Sequence, residues 1–208
     1  SLIRILLIPE KCLRIVKRTI LRFTQKFITY KSGENLVYKV PADWEEQAVS
    51  VSPGVKWVEA TPENVAIFFA DNEEHRSNFL DFLSKKFIGI IVYENSNWAA
   101  CCWSTRPFTS PPLHLPYNAQ HNDKYWLFYG RTRETKRGRG LFKLAVHLII
   151  KRILQENREA NIYADIQPYN TPSRKGVLSI GFFPAGVLSF NRINIPLFNR
   201  SGCRSKWY

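Results

Sequence analysis

Between residues 11 and 30, Leu13, Val16, Ile20, Phe23, Phe27 and Tyr30 recur at steps of three and four. That spacing predicts a helix with one bulky apolar face. Arg14, Arg18, Arg22 and Lys26 form a second row at steps of four. Two readings stay open for this basic amphipathic segment: a helix lying in the surface of an anionic membrane, or one docked on the protein's own core. Lys31-Ser32-Gly33 reads as its end. Val55–Ala60 then predicts a strand. Thr61-Pro62-Glu63 opens a helix, with Thr as N-cap and Pro at the first helical position. Glu73–Phe87 predicts a second helix, with Phe79, Phe82, Leu83 and Phe87 on one face.

Further along, Ile88–Tyr93 and Trp98–Ser104 predict strands joined by a hairpin turn at Glu94-Asn95-Ser96-Asn97. Residues 105–123 hold Pro107, Pro111, Pro112 and Pro116 and predict a long irregular loop, either a substrate cover or a variable insertion. Tyr125–Thr132 predicts a strand, Leu141–Glu156 a helix packed against a sheet, Ile162–Ile166 a strand, Ser173–Ile180 a short helix, and Val187–Ile195 one more strand or strand pair. The order is a helical arm over residues 1–40, followed by one α/β (α+β) domain over 41–208 built on a mixed sheet.

Composition fits that domain: 45% of the 208 residues are apolar and 23% charged, which excludes disorder and a small disulfide scaffold. Leu2–Ile8 is too short to span a bilayer and lacks a small-residue cleavage site, so neither a membrane span nor a signal peptide is expected there. The net charge of +13 is uneven. Residues 1–40 carry nine basic and two acidic side chains, 41–120 five and ten, and 121–208 sixteen and five. Two basic zones flanking an acidic one point to an anionic partner: a phosphate ligand, an acidic carrier protein or an anionic lipid surface. No helix-turn-helix, RNA-binding or zinc pattern supports nucleic acid. Cys12, Cys101, Cys102 and Cys203 show no metal-ligand spacing, so no metal is expected. They read as reduced, structural cysteines, with Cys101 and Cys102 on opposite faces of a strand.

The most informative segment is Trp126–Leu141, where a strand runs through a glycine-containing basic turn into a long helix. Gly138 and Gly140 let a ligand approach the backbone. The first-turn N–H groups and the helix dipole favour a pyrophosphate, and Lys136, Arg137 and Arg139 add positive charge. It is not a P-loop, because no Gly-Lys-Ser/Thr follows. It is not the dinucleotide fingerprint either, because Lys143 stands where a third glycine belongs.

Arg137-Gly138-Arg139-Gly140-Leu141 resembles the acyl-CoA pyrophosphate loop of the GNAT superfamily of N-acetyltransferases, Gln/Arg-x-x-Gly-x-Gly/Ala, with Thr135 departing at its first position. Downstream, Asn170, Ser173, Gly181 and Phe182 match a second motif of that family in register. The resemblance covers roughly residues 55–195. It implies a GNAT-like mixed central sheet with helices on both faces. It also implies acetyl-CoA, or another acyl-CoA, as donor to a small amine acceptor by direct attack on the thioester.

In that reading Arg131, Thr132 and Arg133 border a splayed strand end that hydrogen-bonds the pantetheine arm. Lys136, Arg137, Gly138, Arg139, Gly140 and Leu141 hold the pyrophosphate, and Asn170 and Ser173 contact the cofactor from the facing side. The family's frequent general acid, a Tyr, falls on Val177, which has no proton to give. Tyr169, Tyr163 or Ser173, or water, is left for that role. His121 and Asp123 are candidates to take the acceptor's proton, with Glu134 placed less well. Trp98, Trp103, Phe108, Tyr117 and Trp126 are expected around the cleft, where aromatic walls suit sugar rings or acyl chains. The arm resembles the leading segment of GNAT-like proteins of surface-polysaccharide biosynthesis, which implies an amino-sugar acceptor. The expected location is cytoplasmic, with peripheral contact to the inner membrane face through residues 1–30, and a homodimer is admitted. The alternative is a non-catalytic module that binds CoA or an acyl carrier protein.

Overall fold

The computed structural model describes residues 29–46, 49, 52–109, 124–195 and 200–207. Among these, eight strands form one mixed sheet in the order β2-β3-β4-β5-β6-β1-β7-β8. In chain order the elements are β1 (Thr29–Lys39), β2 (Val55–Glu59), α1 (Pro62–Phe68), α2 (Glu73–Ser84), β3 (Ile88–Glu94), β4 (Asn97–Ser104), β5 (Lys124–Thr132), a 3-10 turn (Glu134–Lys136), α3 (Leu141–Glu156), β6 (Asn161–Ile166), α4 (Thr171–Leu178), β7 (Phe183–Ile195) and β8 (Arg200–Trp207). β5 and β6 pair in parallel, and α3 is the crossover that a parallel pair requires.

Local chemistry sets the element ends. Thr61 Oγ1 accepts from the Asn64 N–H at 3.2 Å and caps α1 ahead of Pro62. Asn72 Oδ1 accepts from the His75 N–H at 3.0 Å and caps α2. Asn95 (φ 50°) and Ser96 (φ 61°) take the left-handed conformation of a two-residue hairpin turn.

Helices cover both faces. On one, α3 buries Leu144, Ala145, Ile149, Ile150 and Ile153 against Ile90, Cys102, Leu127 and Ile162. On the other, α1 and α2 bring Phe69 and Phe79 onto Ile91, Cys101, Trp103 and Phe128. Neighbouring Cys101 and Cys102 thus enter opposite cores, as strand alternation requires. Trp103 lies over Gly89, where a Cβ would come within 2.6 Å of the indole.

Two strands depart from the sequence reading. β1 begins at Thr29, so the stretch read as the end of a helix and its Lys31–Gly33 stop is extended chain. The sheet therefore starts before residue 40, inside the segment assigned to the arm. β1 lies between β6 and β7, and Val37 and Tyr38 are both buried on opposite faces. A strand buried on both sides shows a continuous apolar run, here Leu36-Val37-Tyr38, in place of alternation. β8 is the other unpredicted strand. It pairs with β7 at the sheet edge. The rest of the basic segment, residues 1–28, lies outside the described residues.

Candidate functional site

The site begins where β5 and β6 part. Their ladder runs from Lys124↔Asn161 to Leu127↔Ala164 and stops, although β5 continues to Thr132 and β6 to Ile166. A bulge against β4 accompanies the parting. Trp103 pairs with Phe128 and Cys101 with Arg131, so Tyr129 and Gly130 together oppose Cys102, and Tyr129 takes φ 50°. Backbone groups of Phe128–Thr132 that point toward β6 therefore lack a ladder partner.

Two clefts meet at this opening. The smaller, about 410 Å³, is lined by Asn35, Tyr129, Asp165, Gln167 and Val177 among others. The larger, about 710 Å³, reaches along the 3-10 turn to the first turn of α3 and is lined by Thr132, Lys136, Arg137, Gly138, Gly140 and Leu141 among others. Gly130, Arg131, Phe142, Asn170 and Ser173 line both.

The glycine loop has the geometry of an anion cradle. Gly138 (φ 77°) and Gly140 (φ 74°) are left-handed, a conformation that disfavours side chains. A Cβ on either would meet nothing within 4 Å. Gly140 caps α3 without a side-chain hydrogen bond. The first intrahelical bond is Leu144 N–H to Gly140 O, so the N–H groups of Leu141, Phe142 and Lys143 have no helical acceptor. Behind them, the Phe142 ring is wedged between β5 and α4, where a Cβ at Gly130 or Gly176 would lie 2.7 or 2.8 Å from it.

The structure brings together most of the expected cofactor residues and redirects others. Arg131, Thr132, Lys136, Arg137, Gly138, Gly140, Leu141, Asn170 and Ser173 line the clefts, but Arg133 and Arg139 line neither. Arg133 lies over the Trp98 ring at 5.8 Å. Arg139 grips Glu94 at 2.6 and 2.9 Å, and Lys136 meets the same carboxylate at 2.5 Å. Arg139 first and Lys136 second lower the Glu94 pKa to about 2. Much of the loop's charge is thus already matched by an acid 42 residues upstream of Lys136. Asn170 is occupied as the N-cap of α4, accepting from the Ser173 N–H at 3.3 Å.

The catalytic candidates fare less well. His121 and Asp123 lie outside the described residues, as do Tyr117 and most of the proline-rich loop. Tyr169 is 78% exposed and lines neither cleft. Tyr163 is stacked beneath Trp126 at 5.6 Å. Ser173 is the one candidate that reaches both clefts. Val177, where the family's Tyr would stand, is buried and lines the smaller cleft. The expected aromatic walls are mostly core: Trp103 and Trp126 are buried, and Phe108 is 82% exposed. Burial pushes the Cys101 thiol up to about 12 and the Cys102 thiol higher still, so neither serves as a thiolate nucleophile. Among the described residues no group of three His, Cys, Asp or Glu side chains is placed to hold a metal ion. No helix among them is long and apolar enough to cross a membrane.

Two residues of the smaller cleft escaped the sequence reading. Asp165 accepts from Asn35 Nδ2 and from Trp126 Nε1, each at 2.6 Å. Its only sequence signal is that it is the one charged residue of β6. Tyr129 sits at the bulge beneath the Arg131 guanidinium, 5.3 Å from ring centre to Cζ. Burial pushes its phenol pKa up, which keeps it protonated at neutral pH. Nearby His75 is packed among Phe69, Phe79 and Trp98. Burial lowers its pKa, with Arg131 adding to the effect against Glu74.

No family model matches the sequence, and no curated protein matches it. Comparison with solved structures does find the fold. A GNAT-family acetyltransferase, described as putative, from Novosphingobium aromaticivorans superposes with a TM-score of 0.55 at 13% identity, over 81% of this chain and 68% of that one. A GCN5-related N-acetyltransferase-like protein from Streptococcus suis gives 0.52 at 12% identity, over 92% and 67%. A Drosophila protein gives 0.58 at 13% identity, over 88% of this chain and 58% of its own. The match thus spans little more than half of that last protein and about two thirds of the others. At these identities the likeness is one of fold, and the fold is that of the GNAT N-acetyltransferases.

Proposed function

We propose that this chain is an acyl-CoA-dependent N-acyltransferase, with acetyl-CoA as the simplest donor and a small amine, such as an amino sugar, as acceptor. The observation that carries this reading is the parting of β5 from β6 beside a cation-walled cleft that ends on Gly138 and Gly140. The chemistry of the walls fits acyl-CoA. The unpaired edge of β5 suits the amides of a pantetheine arm, and the α3 first turn suits a diphosphate.

Bound acyl-CoA supplies a thioester carbonyl open to direct attack. The N–H groups of Leu141–Lys143 and the exposed Arg137 side chain hold the diphosphate, while Lys136 stays on Glu94. An unpaired N–H of Phe128–Thr132 stabilises the charge that develops on the carbonyl oxygen. Asp165, fixed by Asn35 and Trp126, faces the acceptor amine from β6 and takes its proton. Ser173 is the hydroxyl common to both clefts and stands by the departing sulfur in place of the tyrosine that Val177 replaces. Cys101 and Cys102 take no part.

The test is to incubate the protein with acetyl-CoA and a panel of primary amines that includes amino sugars, following thiol release and acetylated product by mass. The expected result is amine-dependent release of one CoA per product. Acetyl-CoA binding with no amine-dependent release across the panel contradicts the enzyme and leaves a cofactor-binding module.

A further inference from the structure

We infer that residues 11–26 form a helix that docks its apolar face on the half of the sheet beyond α1 and α2, over β6, β1 and β7, instead of inserting that face into a membrane. The docking does not depend on the acyl-transfer reading.

Val37, Leu188, Trp126 and Tyr163 form a small apolar cluster of their own. It lies on the α1–α2 side of the sheet. Phe128, two residues along β5 from Trp126, packs on Phe82 of α2 at 5.0 Å, while Leu127 between them faces the α3 core. The contacts of α1 and α2 end at β5, and α3 and α4 pack on the opposite face. No described helix therefore lies over β6, β1 and β7 on this side. Val37 and Leu188 are nonetheless fully buried, and an apolar sheet face is stable only against another layer.

The chain supplies one layer of the right length and polarity. β1 enters the sheet at Thr29, so the helix read upstream of it must end before that residue. A helix over residues 11–26 is about 24 Å long. The run of β1 from Thr29 to Val37 is about 26 Å. A turn at Phe27 and Ile28 thus sends the helix back along β1 and brings its start near Val37 and Leu188. Leu13, Val16, Ile20 and Phe23 share one helix face, and Arg14, Arg18, Arg22 and Lys26 share the opposite one. Lys39 and Lys124 stand over the Tyr163 ring at 5.5 and 5.6 Å. Like charge therefore turns the basic row outward and selects the apolar face for docking. Val37 pairs with Asp165 across β1 and β6, so on the acyl-transfer reading the docked helix walls the side of the sheet that carries the base.

Thiol labelling of the full chain, read by peptide mass, tests this. Val37→Cys places a small reporter beneath the helix, and the buried Cys101 and Cys102 report on the rest of the fold. The reporter is expected to label as slowly as Cys101 and Cys102. Adding Ile20→Asp with Phe23→Asp is expected to speed it at least about 10-fold while Cys101 and Cys102 stay unlabelled, the behaviour of a local opening. Adding Arg18→Asp with Arg22→Asp, on the opposite face, is expected to leave it slow. Fast labelling of the reporter without a second change, or with the arginine changes, overturns the docking. So does slow labelling in the Ile20, Phe23 variant, which means that another part of the chain covers the face. If that variant opens Cys101 and Cys102 too, the milder Phe23→Ala decides: faster labelling of the reporter alone supports the docking, and any other result overturns it. Phosphatidylserine vesicles are expected to leave the reporter slow. Its exposure by vesicles shows that a membrane takes the apolar face, and overturns the inference.

Discussion

The two clefts share Gly130, Arg131, Phe142, Asn170 and Ser173, yet their outer walls differ in kind. The larger is cationic and built largely from backbone: two left-handed glycines, a helix start with unpaired N–H groups, and lysines at its rim. The smaller holds a carboxylate fixed by two short hydrogen bonds from separate strands. One region is written in two short stretches of chain, residues 130–143 and 170–179. The other is assembled by the sheet. A charged, flexible donor needs a general electrostatic cradle, whereas an amine that must lose a proton needs one group at one place.

If that division is right, each wall can be damaged without the other. The largest effect is expected from Asp165→Asn, which keeps the shape and removes the base. Amine-dependent CoA release at neutral pH should fall about 100-fold, the scale of lost general-base catalysis. Acetyl-CoA affinity by calorimetry should stay within about twofold. A parallel fall in affinity would show that the carboxylate serves the fold or the donor.

Phe142→Ala attacks the seam common to both walls. Removing a half-buried ring wedged between Gly130 and Gly176 should cost about 2 kcal/mol of stability by urea denaturation. It should also weaken acetyl-CoA binding, because the α3 first turn loses its support.

A smaller effect sharpens the electrostatics of the cationic wall. The Glu94 carboxyl is lowered from 4.5 to about 2 by Arg139 and Lys136. A depressed carboxylate stabilises the fold fully above its unfolded pKa and loses that contribution as pH falls through the folded one. The difference in Tm between wild type and Glu94→Gln should therefore be constant above about pH 5 and shrink as pH falls from 4.5 toward 2. A difference that persists unchanged at pH 2 would contradict the ion-pair clamp.

How much of this was legible in the sequence follows the same division. Gly138, Gly140 and the α3 start are neighbours in the chain, and their spacing marks the cradle directly. The caps at Thr61 and the hairpin at Asn95-Ser96 are local too. Asp165 is not legible, because its carboxylate is fixed by Asn35, 130 residues away, on a strand whose two buried faces hide its periodicity. The partner of the cationic loop is hidden for a related reason. Sequence shows Lys136 and Arg139 as charges beside the glycines, but the Glu94 that matches them arrives from the end of β3. Tyr169 illustrates the limit of proximity in sequence: it neighbours Asn170 in the motif and still faces solvent.

The most direct test of the central claim is calorimetric titration of acetyl-CoA into the wild type and into a Gly138→Glu, Gly140→Glu double variant. Both substitutions force side chains onto left-handed backbone and place carboxylates in the cradle. The account predicts saturable one-to-one binding to the wild type and none to the variant, with β-sheet and helix content retained by circular dichroism. Absence of acetyl-CoA binding to a folded wild type, or undiminished binding to the variant, would contradict it.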